Sequence, residues 1–64
     1  MPIIRVEMFE GRDPETKQEL VKSLTTEMVR VTGCGEDSVN VIITDVKKEN
    51  WGMGGDLASQ KFPD

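Results

Sequence analysis

The residue most able to do chemistry in this sequence is Pro2, which follows Met1 and leads into the apolar segment 3–6. Methionine is generally removed when a small residue follows it, so we expect the mature chain to begin with the secondary amine of Pro2. An α-amino group titrates near pH ~8, and apolar surroundings lower this value because they disfavour the cation. A neutral amine at physiological pH is a good general base. The alternative interpretation is that Met-Pro is an ordinary start without chemical meaning.

The residue types that are absent restrict the chemistry further. The sequence contains no histidine and no tyrosine, so it has neither a Ser-His-Asp triad nor a phenolic acid. A structural zinc site is not expected either, because such sites use Cys and His ligands. An enzyme of this composition must take its base from a carboxylate, a lysine, the single Cys34 or the N-terminal amine.

Length and charge bound the classes of protein to which the chain can belong. Its 64 residues allow one domain, residues 1–64 with Met1 removed, and a thin core. Because one cysteine cannot form an internal disulfide, oligomerisation is the expected aid to stability. The 8 Lys+Arg and 12 Asp+Glu give a net charge of -4 and no basic stripe, which argues against nucleic acid. No membrane span or signal peptide is apparent, so we expect a cytoplasmic protein without a membrane partner.

A strand and a long helix are predicted in the first half of the chain. Residues 3–9 alternate between apolar and polar side chains, as in a strand. Asp13 and Pro14 are typical of a helix start, since Asp caps free N–H groups and Pro suits the first helical position. The helix is expected to run from about 14 to 32 and to end at Gly33. Its apolar stripe comprises Leu20, Val21, Leu24, Met28 and Val31.

The second half predicts another strand and a small cap. Residues 39–45 read as a strand, and the Val-Ile-Ile run at 41–43 is typical of a strand covered on both faces. The order of elements therefore predicts an α/β (α+β) fold: a single βαβ unit with parallel strands, followed by a hairpin or cap in the glycine-rich segment 50–60. Two strands under one helix leave one sheet face bare. We expect a second copy to cover it with two-fold symmetry, so that active sites could be shared between subunits.

Four segments of the sequence, taken together, resemble the 4-oxalocrotonate tautomerase family. They are Met-Pro-Ile-Ile at 1–4, Phe-Glu-Gly-Arg at 9–12, Ser-Val-Asn-Val-Ile-Ile-Thr at 38–44 and Asn-Trp-Gly-Met-Gly-Gly-Asp-Leu-Ala-Ser at 50–59. Each segment alone is a weak signal, but their order and spacing over nearly the whole chain are specific. The resemblance implies a homohexamer, built as a trimer of dimers, that isomerises a small enol or keto acid such as 2-hydroxymuconate. It implies no cofactor and no metal.

The resemblance also implies roles for three polar positions. Pro2 would be the general base, and Arg12 would hold a substrate carboxylate through its planar guanidinium. Asn40 stands where the best-studied members carry a second arginine, so a dicarboxylate is expected to bind less well. Without the resemblance, Arg12 reads as a solvated loop residue and Asn40 as a strand residue at a subunit interface.

Four further positions match the lining of the family's active site. Trp51 stands where the family usually has phenylalanine, and it would form an aromatic wall that excludes water. Phe9 and Met53 match residues of the apolar pocket, and Ser38 matches a position that touches substrate. The alternative is that Trp51 is an interface aromatic and that Phe9 and Met53 are core residues.

Two other functions fit the same scaffold. In related decarboxylases and hydrolytic dehalogenases Pro2 would be cationic, and a separate residue would activate water. A chain that retained Met1 would instead be a non-enzymatic oligomeric module. Cys34 is interpreted as incidental, because the local sequence supplies no cation that would activate a thiol.

Overall fold

The computed structural model describes residues 2–63, so the predicted removal of Met1 lies outside the described residues. Strand β1 spans Ile3–Phe9, helix α1 spans Pro14–Thr32 and strand β2 spans Asn40–Val46. The two strands pair in parallel along their whole length, with Ile3 opposite Asn40 and Phe9 opposite Val46. The predicted βαβ unit is confirmed, although β2 begins and ends one residue later than predicted.

The ends of α1 are fixed by the residues that predicted them. The side chain of Asp13 accepts a hydrogen bond of 2.8 Å from the backbone N–H of Thr16, and Pro14 occupies the first turn. Gly33 adopts a positive φ of 78°, and its N–H donates to the Val29 carbonyl oxygen across 2.8 Å. A side chain at position 33 would strain this left-handed conformation, which explains why the helix stops at a glycine.

The C-terminal segment returns to the carboxyl ends of the parallel strands. Strands β3, Gly52–Met53, and β4, Asp56–Leu57, form a short antiparallel hairpin, as predicted for 50–60. A short helix α2, Ala58–Lys61, follows directly. The N–H of Ala58 donates to the Trp51 carbonyl oxygen across 2.7 Å, which holds the start of α2 against the segment before the hairpin.

Helix α1 covers only one face of the two-stranded sheet. On the covered face Lys17 of α1 forms an ion pair of 2.6 Å with Asp45 of β2. On the opposite face, which we call the open face, Ile3 is 55% exposed and Ile42 is 41% exposed. The second cover predicted for residues 41–43 is not supplied by residues 2–63, so its origin in a second copy of the chain stays a prediction.

The described chain has almost no core of its own. Ala58 is the only buried residue among residues 2–63, and Val31, at the end of the apolar helix stripe, is 67% exposed. The radius of gyration is 14.7 Å, whereas a compact domain of this length would have about 11 Å. A chain this elongated leaves its apolar surfaces to be covered by another molecule. No helix within residues 2–63 combines the length and apolarity needed to cross a membrane.

Candidate active site

Three of the predicted residues lie together where both parallel strands begin. The N–H of Asn40 donates a hydrogen bond of 3.0 Å to the carbonyl oxygen of Pro2. The side-chain amide of Asn40 donates in turn to the Ser38 carbonyl oxygen across 3.4 Å. Pro2 and Ser38 are half-buried and Asn40 is exposed. We call Pro2, Ser38 and Asn40 the amino-end group.

The hydroxyl of Ser38 is turned towards the connector rather than left free. It donates to the Gly35 carbonyl oxygen across 2.7 Å, within the 3₁₀ turn formed by Glu36–Ser38. The turn thereby fixes the direction in which β2 leaves the connector. The Ser38 hydroxyl therefore helps to position the start of β2. It must exchange partners before it can donate to a ligand, although its oxygen can still accept a hydrogen bond.

Cys34 lies closer to this group than its sequence context indicated. Its backbone N–H donates to the Thr32 hydroxyl across 3.2 Å. A hydrogen bond with Thr32, and to a smaller extent one with Ser38, lowers the pKa of the half-buried Cys34 thiol. The local sequence supplies no cation, but the Thr32 hydroxyl only two residues away has the same effect on the thiol, and this was not predicted.

The aromatic residues meet at the opposite end of the sheet. Phe9 and Trp51 pack edge to face, with ring centroids 4.6 Å apart and an interplanar angle of 66°. Phe62 approaches Phe9 with a centroid distance of 6.2 Å. Such geometry suits the quadrupoles of aromatic rings. The predictions for Phe9 and Trp51 did not identify Phe62, which lies beyond the matched segments and is brought back only by the hairpin and α2.

A lysine completes this aromatic cluster. The ammonium of Lys48 lies 5.9 Å from the centroid of the Phe9 ring and donates to the Phe62 carbonyl oxygen across 3.0 Å. A cation at this distance is attracted by the face of the ring. Lys48 was also missed from the sequence, where it reads as a solvated charge between Lys47 and Glu49.

A cleft of about 230 Å³ opens beside Trp51, and Glu7, Val46, Asn50 and Gly52 also line it. Met53 follows in β3 and is 39% exposed. Neither Trp51 nor Met53 is part of a closed core within residues 2–63, because Trp51 is only half-buried. Both side chains are thus accessible from outside the single chain.

Arg12 stands in the loop between β1 and α1, after Gly11 turns the backbone with a φ of 114°. Its side chain is exposed and, among residues 2–63, makes no hydrogen bond or ion pair. A guanidinium in this state retains its full capacity to bind a carboxylate in a bidentate manner. We call Phe9, Arg12, Trp51 and Met53 the carboxyl-end group.

The two groups lie at opposite ends of β1. The seven residues of this strand span about 20 Å at the usual rise per residue, so Pro2 and Arg12 of one chain cannot touch the same small molecule. The structure thus gathers the predicted site residues into two half-sites. If both groups contribute to one site for a small molecule, they must come from different chains.

The chain matches known proteins over nearly its whole length. Residues 2–61 match the family of tautomerase enzymes. The 2-hydroxymuconate tautomerase of Comamonas testosteroni is 38% identical over 60 residues, which cover 94% of this chain and 95% of that protein.

Solved structures agree with this match. A 4-oxalocrotonate tautomerase isozyme from Methylibium petroleiphilum superposes with a TM-score of 0.91 at 36% identity, covering 95% of this chain and 98% of that one. A heterohexameric 4-oxalocrotonate tautomerase from Chloroflexus aurantiacus gives a TM-score of 0.88 at 30% identity, covering 94% of this chain and 97% of that one. The parallel βαβ unit, the C-terminal hairpin and these likenesses together show that the chain belongs to the 4-oxalocrotonate tautomerase family of the tautomerase superfamily, and that it is an enzyme of the isomerase class.

Proposed function

We propose that this enzyme interconverts the enol and keto forms of a 2-hydroxy-dienoic acid, with the N-terminal amine of Pro2 as the general base. The observation that carries the proposal is the placement of Pro2. Its carbonyl is held on β2 by Asn40, and its ring is half-buried at the start of β1. Removal of Met1 would leave a secondary amine in this fixed, partly desolvated position, where the neutral form is favoured.

The reaction is an isomerisation, so substrate and product have the same composition. It needs one group that accepts a proton. The neutral Pro2 nitrogen takes the proton from the 2-hydroxyl group of the dienol. The electrons of the broken O–H bond form the C2 carbonyl, and the double bonds shift along the chain. The protonated amine then returns the same proton to the carbon that has gained electron density. One group thus serves as base and then as acid.

Arg12 is proposed to bind a substrate carboxylate and to stabilise the negative charge that develops on the dienolate when Pro2 removes the proton. Its guanidinium is unpaired within residues 2–63, so binding an anion costs it no existing ion pair. A contact that strengthens as negative charge develops lowers the barrier as well as the dissociation constant. The aromatic cluster at the same end of the sheet would exclude water from the reacting diene.

The site is proposed to form between protomers of a homohexamer that is a trimer of dimers. Support comes from the separation of the two half-sites, the open face of the sheet and the near absence of a core in one chain. An apolar cleft of about 370 Å³ between α1 and β1, lined by Ile4, Leu24, Met28 and Val31 together with Glu27, adds a second uncovered surface. The Chloroflexus relative is a heterohexamer, which is consistent with this assembly.

The direct test is the ketonisation of 2-hydroxymuconate, followed by ultraviolet absorbance. We expect turnover by the mature chain, confirmed by mass spectrometry to begin at Pro2, and a large loss in Pro2→Ala. Pro63→Ala is the matched control because it removes an exposed proline whose nitrogen is a backbone amide and cannot act as a base. Equal rates for the mature chain and Pro2→Ala would contradict the assignment of the base.

A further inference from the structure

We propose that the natural substrate carries a single carboxylate, which Arg12 binds, and that its other end is a neutral group facing Asn40. This inference rests on the proposed function, because it assumes that the substrate spans the amino-end group of one protomer and the carboxyl-end group of another. The proposed reaction leaves the number of carboxylates on the substrate open, and this inference specifies one.

The chain segment that carries Ser38 and Asn40 supplies no cation to a second carboxylate. Residues 31–46, which include Ser38, Asn40 and all of β2, contain no lysine or arginine. Two acids, Glu36 and Asp37, stand immediately before Ser38, and both are exposed. A second carboxylate placed here would meet like charges and neutral dipoles, so its binding would be unfavourable relative to water.

Arg30 is one of two basic residues that the fold brings towards this end. It lies in the last turn of α1, which returns to the amino ends of the strands. Its guanidinium is already engaged, however, because both Nε and Nη2 donate to the carboxylate of Glu27. A substrate carboxylate recruited to Arg30 would share its guanidinium with Glu27, whose negative charge weakens the attraction.

Arg5 is the other basic residue, and it lies on the open face of the sheet. Its register partner is Ile42, so Asn40 is its diagonal neighbour on the adjacent strand. Glu7 follows on the same strand and the same face, about 7 Å away, and offsets the positive charge of Arg5. Arg5 is therefore the alternative clamp that an experiment must exclude.

Asn40 itself suits a neutral oxygen group. Its exposed amide makes one long hydrogen bond of 3.4 Å to the Ser38 carbonyl oxygen. A side-chain amide has two donor hydrogens and an acceptor oxygen, so it can bind a hydroxyl or a carbonyl group while keeping that contact. It supplies no charge, and a neutral hydrogen bond contributes less than one to a charged partner.

The test compares two unreactive dienes that differ in one end group: trans,trans-muconate with two carboxylates, and sorbate with one carboxylate and a methyl group. Dissociation constants are measured by calorimetry with the mature oligomer. We expect sorbate to bind at least as tightly as muconate. In Asn40→Arg we expect muconate to gain about 10- to 100-fold over sorbate, as for a new charge-assisted contact. Ser23→Arg adds the same charge on an exposed helix position and should leave the ratio unchanged.

Three results would overturn the inference. One is a wild type that binds muconate tenfold more tightly than sorbate, and in that case loss of the preference in Arg5→Gln would identify Arg5 as the second clamp. Another is a folded Asn40→Arg oligomer in which the ratio of the muconate and sorbate dissociation constants equals that of the wild type. The third is a change of this ratio in Ser23→Arg that is as large as the change in Asn40→Arg. Failure of the proposed function would be seen in a different assay, as turnover of 2-hydroxymuconate that does not depend on Pro2. The two failures are distinguishable because the dissociation constants of muconate and sorbate are measured without any reaction.

Discussion

The backbone N–H of Asn40 donates a hydrogen bond of 3.0 Å to the carbonyl oxygen of Pro2, one residue before the parallel ladder begins. This contact extends the pairing of β1 and β2 to the very residue whose nitrogen is proposed to be the base. Because the carbonyl is held, the pyrrolidine ring has little freedom to swing away from Asn40. The amine thus has a fixed position relative to the strand that lines the rest of the amino-end group.

The first prediction concerns the pH dependence of the rate. A neutral amine accepts the proton, so kcat/KM for an enol acid should rise with pH and level off once the amine of Pro2 is deprotonated. The profile should be the same in Pro63→Ala. A chain with an uncleaved N-terminal tag should be inactive throughout, because the Pro2 nitrogen is then an amide without basicity. A rate that falls as pH rises would instead favour the cationic-proline reactions.

The second prediction concerns the N-terminal cap of α1. Hydrogen bonds from Thr16 hold the pKa of the Asp13 carboxyl below its ordinary value. The stabilising effect of the charged cap is therefore fully present above the unfolded-state pKa and is lost as pH falls through the lower folded-state pKa. Asp13→Ala should reduce the melting temperature at neutral pH, and the difference from wild type should shrink in acid.

Asp13→Asn is the control for this cap. Asparagine keeps the acceptor oxygen but carries no charge, so it should retain much of the neutral-pH stability. Its melting temperature should also fall less in acid than that of the wild type, because the contribution of the Asp13 charge is absent. A difference between wild type and Asp13→Ala that widened as pH fell from 5 to 2 would contradict the lowered pKa, and circular dichroism melts would detect it.

The elements that follow local rules could be predicted from the sequence, and the assembly of the site could not. The bounds of α1 are fixed by Asp13, Pro14 and Gly33, because each of these residue types favours its own local backbone geometry. The contact between Phe9 and Phe62 depends instead on the hairpin and α2 returning the chain over more than fifty residues. Whether Ile42 is covered likewise depends on other molecules. The sequence pattern of a strand indicates which side chains share a face of the sheet, but not what packs against that face.

The third prediction tests whether other chains cover the two exposed apolar surfaces. Val31→Lys places a charge beside the cleft between α1 and β1, and Ile42→Lys places one on the open face. If both surfaces are interfaces, each change removes about 1.5–3 kcal/mol of apolar burial per protomer and adds the desolvation of an ammonium. Light scattering should show smaller assemblies for both variants.

Ser23→Lys is the matched control for these interface variants, since Ser23 is exposed on the polar side of α1 and the change adds the same charge. It should keep the wild-type mass. Unchanged mass in both Val31→Lys and Ile42→Lys would mean that neither surface is covered in solution.

The fourth prediction tests whether Pro2 and Arg12 of one active site belong to different chains. Their separation at opposite ends of β1, about 20 Å, forbids a shared substrate within one chain. Pro2→Ala and Arg12→Ala should each lower kcat/KM, the latter by about 10- to 100-fold for a lost charge-assisted contact. Coexpression of the two variants should then restore part of the activity. In mixed oligomers some sites combine the Pro2 of an Arg12→Ala chain with the Arg12 of a Pro2→Ala chain.

Mixing the two purified variants after assembly is the control, because preformed oligomers that do not exchange protomers contain no such hybrid site. Recovery should therefore appear on coexpression and be absent on mixing. If coexpressed chains recover nothing although mass spectrometry shows that mixed oligomers form, the two residues act within one chain or in separate sites. The division into an amino-end group and a carboxyl-end group would then not describe the active site, since a site built across the protomer boundary requires the hybrid to work.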